Sequence, residues 1–328
     1  MIRVATIGTN FITDWFLAAA RRCPNIQCEA VYSRSLEKAR AYARQNGVPL
    51  AFDDLLRLAQ SPRVDAVYIA SPNALHFKQA ELLLSHGKHV LCEKTIVSNL
   101  RELEKLERTA REHGAVLMEA MRNVHTHGFR LVSEALPRLG TLRLAHFEYC
   151  QYSSRYDKFK NGVVENAFNP ALSNGALMDI GVYCVRPLVM LFGAPDSVRA
   201  DGIRLSNGAD GAGVVHAGYG GMRAELTYSK ISNGGAPSQI QGEEGTLLIE
   251  GIGNPRRVTL LPRGGPAEEL LRLEEPEDMS AEIADWAALV EAGDTRGEDL
   301  CFARMELALM DEIRRQLGIR FPADEEEP

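Results

Sequence analysis

Residues 5–15 read ATIGTNFITDW, a short apolar run that reaches Gly8 and passes at once into a helical period. A turn that receives a dinucleotide pyrophosphate uses its first glycine for a tight bend. The second lets backbone approach the phosphates, and the third lets helix and strand pack closely. Here those positions hold Gly8, Asn10 and Thr13, so one glycine of three remains. The context is retained, because the turn follows a strand and opens a helix whose N-terminal amides and dipole favour an anion. Asn also tolerates left-handed backbone angles, and its amide can donate to phosphate. By itself the loop fits a phosphate-binding turn and an ordinary strand-to-helix turn equally well.

Working outward, residues 1 to 120 alternate short β-rich runs with helical periods: RVATIG, a helix over about 11–22, CEAVYS, LEKARAYARQNG, DAVYIAS, ALHFKQAELLLSHG, KHVLCE, NLRELEKLERTAREHG and AVLME. Gly47, Gly87 and Gly114 stand where helices would close on a left-handed residue. Strands alternating with helices of this length predict a doubly wound parallel sheet, an α/β Rossmann domain over 1–120. Over 121–328 the texture changes to a helix near 123–136, an alternating strand at 141–152, a polar loop and a long helix near 174–192. A strand-rich stretch then runs to about 262, punctuated by SNGADGAG, YGGM and SNGGAP, before helices near 279–292 and 297–317. This second domain is expected to hold a large open, mostly antiparallel sheet with helices on one face.

A chain of 328 residues with 45% hydrophobic content suits two domains. The net charge of −7 and scattered basic residues argue against nucleic acid as a partner. No apolar run approaches the eighteen or so residues that would span a bilayer, and Met1 leads directly into a strand-like run with no signal-peptide pattern. The six cysteines show no C-x-x-C pair, so reduced thiols in a cytoplasmic protein are expected. The closing ADEEEP reads as a solvated acidic tail.

The tip of the second strand, VYSRSLEKA, decides which dinucleotide would fit. An acid there would hold the ribose hydroxyls of NAD and repel the 2′-phosphate of NADP. The chain offers Ser33, Arg34 and Lys38 with no acid at the tip, which favours NADP(H) over NAD(H); an exposed polar turn is the plain alternative.

Four pieces in order resemble the Gfo/Idh/MocA oxidoreductase family: the turn at Gly8, ASPNALH at 70–76, HVLCEKT at 89–95 and SNGALMDIGVY at 173–183. The resemblance runs over nearly the whole chain. It implies that Gly8, Thr9, Asn10, Phe11, Ile12, Ser71, Pro72 and Asn73 line the cofactor and that His76 faces the substrate pocket. The family's E-K-P motif falls on Glu93, Lys94 and Thr95, with Lys94 implied as the central catalytic cation touching nicotinamide ribose and substrate. Thr95 replaces the proline, so a trans Lys94–Thr95 bond is expected. The family's D-x-G-x-H/Y motif falls on Asp179 and Tyr183, four apart and so on one face of an α-helix. Tyr183 is then the expected proton donor, with Lys94 beside it to favour the phenolate. Asp179 would hold a substrate hydroxyl or orient Lys94.

The implied activity is hydride transfer between the nicotinamide and a hydroxyl or ketone carbon of a sugar, polyol or cyclic diol. The implied assembly is a homodimer or homotetramer through the C-terminal sheet. A non-catalytic dinucleotide sensor and an NAD-dependent glycosidase are the alternatives. MEAMRNVHTHGF matches the family only as far as Glu119. Its His125 and His127 lack a third ligand, so no metal is expected. The stretch YCQYSSRYDKFKNG at 149–162 fits a substrate-facing arm, an oligomer contact or an exposed loop.

Overall fold

The computed structural model describes residues 1–325. They form two compact units, Met1–Ala120 with Asp278–Arg304, and Met121–Glu277 with the chain from Met305 onward. The first unit runs β1 (Ile2–Ile7), α1 (Phe11–Ala20), β2 (Ile26–Tyr32), α2 (Leu36–Asn46), β3 (Leu50–Phe52), α3 (Leu55–Ala59), β4 (Ala66–Ile69), α4 (Asn73–Ser85), β5 (His89–Glu93), α5 (Leu100–Glu112) and β6 (Leu117–Ala120). The six strands lie parallel in the order β3-β2-β1-β4-β5-β6. All four residues of β4 are buried, as strands covered on both faces by helices must be. The sheet reverses its order between β1 and β4, and the crevice at their carboxyl ends is where ligands of such folds bind. Gly47, Gly87 and Gly114 take positive φ at the helix ends, as expected.

The second unit contains α6 (Arg122–His125), α7 (His127–Ala135), β7 (Leu142–Cys150), α8 (Ser154–Lys160), α9 (Val182–Phe192), β8 (Ser197–Arg204), β9 (Asp210–Tyr219), β10 (Met222–Ser229), β11 (Ser238–Gly242), β12 (Gly245–Glu250), β13 (Arg257–Pro262) and β14 (Glu268–Arg272). Its eight strands follow the order β14-β13-β12-β11-β7-β10-β9-β8, antiparallel except between β7 and β10. Alternation sets the two faces. Ala224, Leu226 and Tyr228 of β10 are buried in the same core as Val182, Val185, Leu188 and Val189 of α9.

Several expectations are corrected. The helix near 123–136 divides at Thr126, whose hydroxyl caps the amide of Phe129. The helix expected over 174–192 opens with a five-residue π-helical turn, Leu177–Gly181, before α9. The strand-rich stretch extends past 262 to β14. The second domain was expected to continue unbroken to 328, yet residues 278–304 belong to the first unit. The reason is α10 (Ser280–Ala292), whose Met279, Ile283, Trp286 and Ala287 join the apolar core of the parallel sheet. The last long helix, α11, spans Glu298–Leu317.

Trp286 is wholly buried, whereas the other tryptophan, Trp15 on α1, is 51% exposed and meets Phe11 edge-on with ring centroids 5.4 Å apart. Asp324, expected in a solvated tail, is instead held by Arg314 at 2.7 Å; residues 326–328 of that tail lie outside the described ones. All six cysteines are free thiols. No helix among the described residues is long and apolar enough to cross a membrane.

Candidate functional site

In the first unit the carboxyl edge of the sheet forms a cavity of about 380 Å³. Its lining includes Gly8, Thr9 and Asn10 after β1, Ser33, Arg34 and Lys38 after β2, and Ser71 and Pro72 after β4. Gly8 is needed for two reasons: φ is +115°, and a Cβ would lie 2.8 Å from the carbonyl oxygen of Ala70. That closeness keeps the turn flat against the neighbouring strand and leaves room for a ligand backbone-on.

Asn10 is not left-handed as its residue type allowed. Its φ is −111°, and it caps α1 by accepting from the amides of Ile12 and Thr13, while its own amide donates to the Ala70 carbonyl. Two of the helix's N-terminal donors are thus covered by the cap, which leaves the remaining amides for an anion. Arg34 and Lys38 are exposed and the lining contains no acid. A dinucleotide with a 2′-phosphate fits this cleft: a glycine turn for the diphosphate and two cations where a ribose phosphate would arrive.

The other expected cofactor residues lie around the cavity. Phe11 is 56% exposed and Asn73 is buried at the start of α4. Ile12 packs against the core. Glu93 ends β5 and accepts from the buried Tyr68 hydroxyl at 2.5 Å. The lining also includes Leu75 and Gln79. The hydrogen bond of Ser71 to Gln79, eight residues away, has no signature a sequence pattern could show.

Lys94 follows β5 directly and is half-buried. Its bond to Thr95 is cis, against the expectation of trans. The neighbouring backbone is held by groups the sequence did not connect to it: Glu119 accepts from the Ile96 amide at 2.8 Å, and His76 lies 3.1 Å from the Thr95 carbonyl. His76 is placed by two backbone partners. It is wholly buried, with Nε2 2.8 Å from the Ser71 carbonyl and Nδ1 on Thr95, so it ties together the loops that follow β4 and β5. Burial pushes its pKa down, and a neutral ring has a single N–H to share between the two carbonyls.

In the second unit, Asp179 lies in the π-helical turn and Tyr183 in the first turn of α9, both half-buried. The α-helical spacing argument does not apply across this wider turn. Asp179 is instead engaged by the ammonium of Lys230, which sequence reading missed. The Tyr183 ring packs on Tyr149, centroids 5.6 Å apart, and its backbone carbonyl accepts from Asn123, which also donates to the Ile252 carbonyl at 3.1 Å.

The turn is fastened at its start by Asp210, whose carboxylate accepts from the Leu177 amide at 2.6 Å. Burial pushes the Asp210 pKa up to about 6. Beside Tyr149 opens a cavity of about 680 Å³, lined by Arg122, Glu148, Glu250, Asn254 and Arg256 among others. Gly253 closes on the Tyr149 ring, where a Cβ would approach within 2.6 Å. Among the described residues no cluster of three or more His, Cys, Asp or Glu is disposed to hold a metal.

A Rossmann sheet with a dinucleotide cleft, continued in the same chain by an open-sheet unit that presents an acid and a phenol, is the construction of a nicotinamide-dependent oxidoreductase. Residues 2–121 match the model for the oxidoreductase family with an NAD-binding Rossmann fold, and residues 135–248 match the GFO/IDH/MocA C-terminal domain. The chain belongs to the Gfo/Idh/MocA oxidoreductase family. It is 47% identical to the scyllo-inositol 2-dehydrogenase (NADP(+)) IolU of Bacillus subtilis (strain 168), over 99% of this chain and 100% of that one. It is 28% identical to the trans-1,2-dihydrobenzene-1,2-diol dehydrogenase of Oryctolagus cuniculus, over 99% of each. Among solved structures, the 3-ketoreductase KijD10 from Actinomadura kijaniata with NADP and TDP-benzene superposes with a TM-score of 0.83 at 25% identity, covering 96% of this chain and 98% of that one. The protein is an NAD(P)-dependent oxidoreductase acting on CH–OH groups.

Proposed function

We propose that this chain is an NADP(H)-dependent dehydrogenase of a hydroxylated ring, interconverting a secondary alcohol and its ketone. The observation that carries the substrate class is the 680 Å³ cavity beside Tyr149. Its lining mixes guanidinium, carboxylate and amide groups from Arg122, Glu148, Glu250, Asn254 and Arg256. Such a lining suits a ring with hydroxyls around its whole rim, each able to donate and accept. A ring with only two hydroxyls would engage fewer of these polar groups. The 47% identity to an NADP-dependent inositol dehydrogenase supports the same reading, and Arg34 and Lys38 in the cofactor cleft support NADP(H).

When bound, the nicotinamide supplies the hydride acceptor or donor. In the reducing direction the Tyr183 phenol donates its proton to the ketone oxygen as that oxygen gains charge. The Lys94 ammonium stabilises the same developing alkoxide, and Asp179 accepts a hydrogen bond from a neighbouring hydroxyl. Oxidation runs through the same groups in reverse, with the phenolate as base. Assembly as a homodimer or homotetramer through the second unit's sheet completes the proposal, and light scattering in solution measures it.

The test is a titration of the protein with NADPH and NADH, then turnover of scyllo-inositol and of trans-1,2-dihydrobenzene-1,2-diol with the preferred cofactor. Tighter NADPH binding and oxidation of the inositol are expected. Preference for NADH would overturn the cofactor assignment, and turnover of the apolar diol alone would overturn the substrate class.

A further inference from the structure

Lys230 belongs to none of the motifs that identify the family, yet its ammonium pairs with Asp179. It stands one residue beyond β10, and its side chain is 4% exposed against 26% for Asp179. Its backbone is fixed before the side chain begins: its amide donates to the Gly211 carbonyl at 2.8 Å, and its carbonyl accepts from the Ser153 amide at 2.9 Å. The ammonium also lies over the face of Phe168, 5.4 Å from the ring centroid.

Phe168 is itself wholly buried. Its carbonyl accepts from Asn207 at 2.6 Å, and its ring is backed by Tyr156 and Phe159 of α8 at 5.7 and 5.8 Å. The 149–162 stretch, whose role the sequence left open, thus supplies the aromatic backing of a buried lysine. Lysine is almost never buried unless paired, because an ammonium out of water needs a counter-charge. A surface lysine would extend its head to solvent; this one is directed inward, toward the Asp179 carboxylate and the Phe168 π-face.

We propose that Lys230 is a positioning residue that holds Asp179 ionised and fixes its orientation, so that Asp179 serves as a hydrogen-bond acceptor for a substrate hydroxyl and not as an acid. The assignment rests on the polyol reading above. Lys230 sets the carboxylate that grips the substrate. No bond to Lys230 forms or breaks in the reaction. Its effect is on how strongly a hydroxylated ring is held, and not on the dinucleotide.

The test compares wild type, Lys230→Met, Lys230→Arg, Asp179→Asn and the Asp179→Asn/Lys230→Met double variant. Readouts are kcat and KM for scyllo-inositol with saturating NADP+, and calorimetric affinities for each ligand. A hydrogen bond to a charged group lost from the substrate corresponds to about a 10- to 100-fold fall in kcat/KM for Lys230→Met. NADP+ affinity should stay within twofold, Lys230→Arg should recover most of the loss, and the double variant should be no worse than Asp179→Asn alone.

Losses that multiply in the double variant would make the two residues independent and overturn the proposal. So would a Lys230→Met enzyme within threefold of wild type, or a parallel loss of NADP+ affinity. If Lys230→Met does not fold, Lys230→Arg decides: activity near wild type supports the assignment, and activity at the Asp179→Asn level overturns it. A wild type that neither binds nor oxidises the inositol overturns the polyol reading first, and this assignment with it.

Discussion

The first helix of each sheet's candidate site is fastened by opposite means in the two units. Helix α1 is capped by Asn10, a neutral amide on the same turn, exposed, reaching amides two and three residues ahead. The π-helical turn at Leu177 is capped by Asp210, a buried acid on a strand 33 residues away. The first device is local and indifferent to pH. The second is long-range and titrates, since burial lifts the Asp210 pKa to about 6.

The largest effect that would break this contrast is at Tyr183. Tyr183→Phe should lower turnover by about two to four orders of magnitude and leave NADPH binding intact. Equal turnover in stopped-flow assays would remove the phenol from the chemistry and return the second unit to a purely structural role.

Next in size is the pH response of Asp210. Raising its pKa from 3.8 to about 6 means the folded state favours the protonated acid. The stabilisation is therefore fully present below the unfolded value of 3.8, and it is lost as pH rises through about 6. The shift corresponds to about 3 kcal/mol. Urea unfolding of wild type between pH 4 and 7 should show this decline, and Asp210→Asn, which keeps an acceptor oxygen, should flatten it. An unchanged slope in the variant would assign the pH response to other groups.

Smaller, and confined to the first unit, is Arg34→Ala. It should weaken NADPH about tenfold or more and leave NADH almost unchanged; loss of both alike would show that Arg34 does not read the ribose phosphate. Smallest is Asn10→Ala, expected to cost about 1 kcal/mol of stability at every pH. Its urea midpoint should move by the same amount at pH 5 and pH 7, and a pH-dependent change would erase the distinction between the two caps.

The same contrast separates what could be read in the sequence from what could not. Alternation of fully apolar strands such as Ala66–Ile69 with helices closed at Gly47, Gly87 and Gly114 is local chemistry, and it made the Rossmann sheet legible. The family motifs carried Lys94, Asp179 and Tyr183. The groups bonded at or near them are distant in sequence: Asp210 on the Leu177 amide, Lys230 on Asp179 51 residues away, and Glu119 on the Ile96 amide. Nothing in a local pattern marks such pairs.

The two backbone carbonyls that meet the His76 ring leave no sign in the sequence around a histidine at a helix start. The return of α10 to the first core was hidden for a related reason. An apolar face shows that a helix is buried, and is silent on which sheet buries it.

The contrast between the two tryptophans gives the first unit a built-in optical readout. Trp286, wholly enclosed, should emit at the blue end of the indole range and shift red only when the parallel-sheet core opens. Trp15, half in water on the helix that begins at the cofactor turn, should emit further to the red, in the band that a reduced nicotinamide absorbs. Arrival of the dinucleotide and loss of the fold would then appear at different wavelengths, from one unlabelled sample.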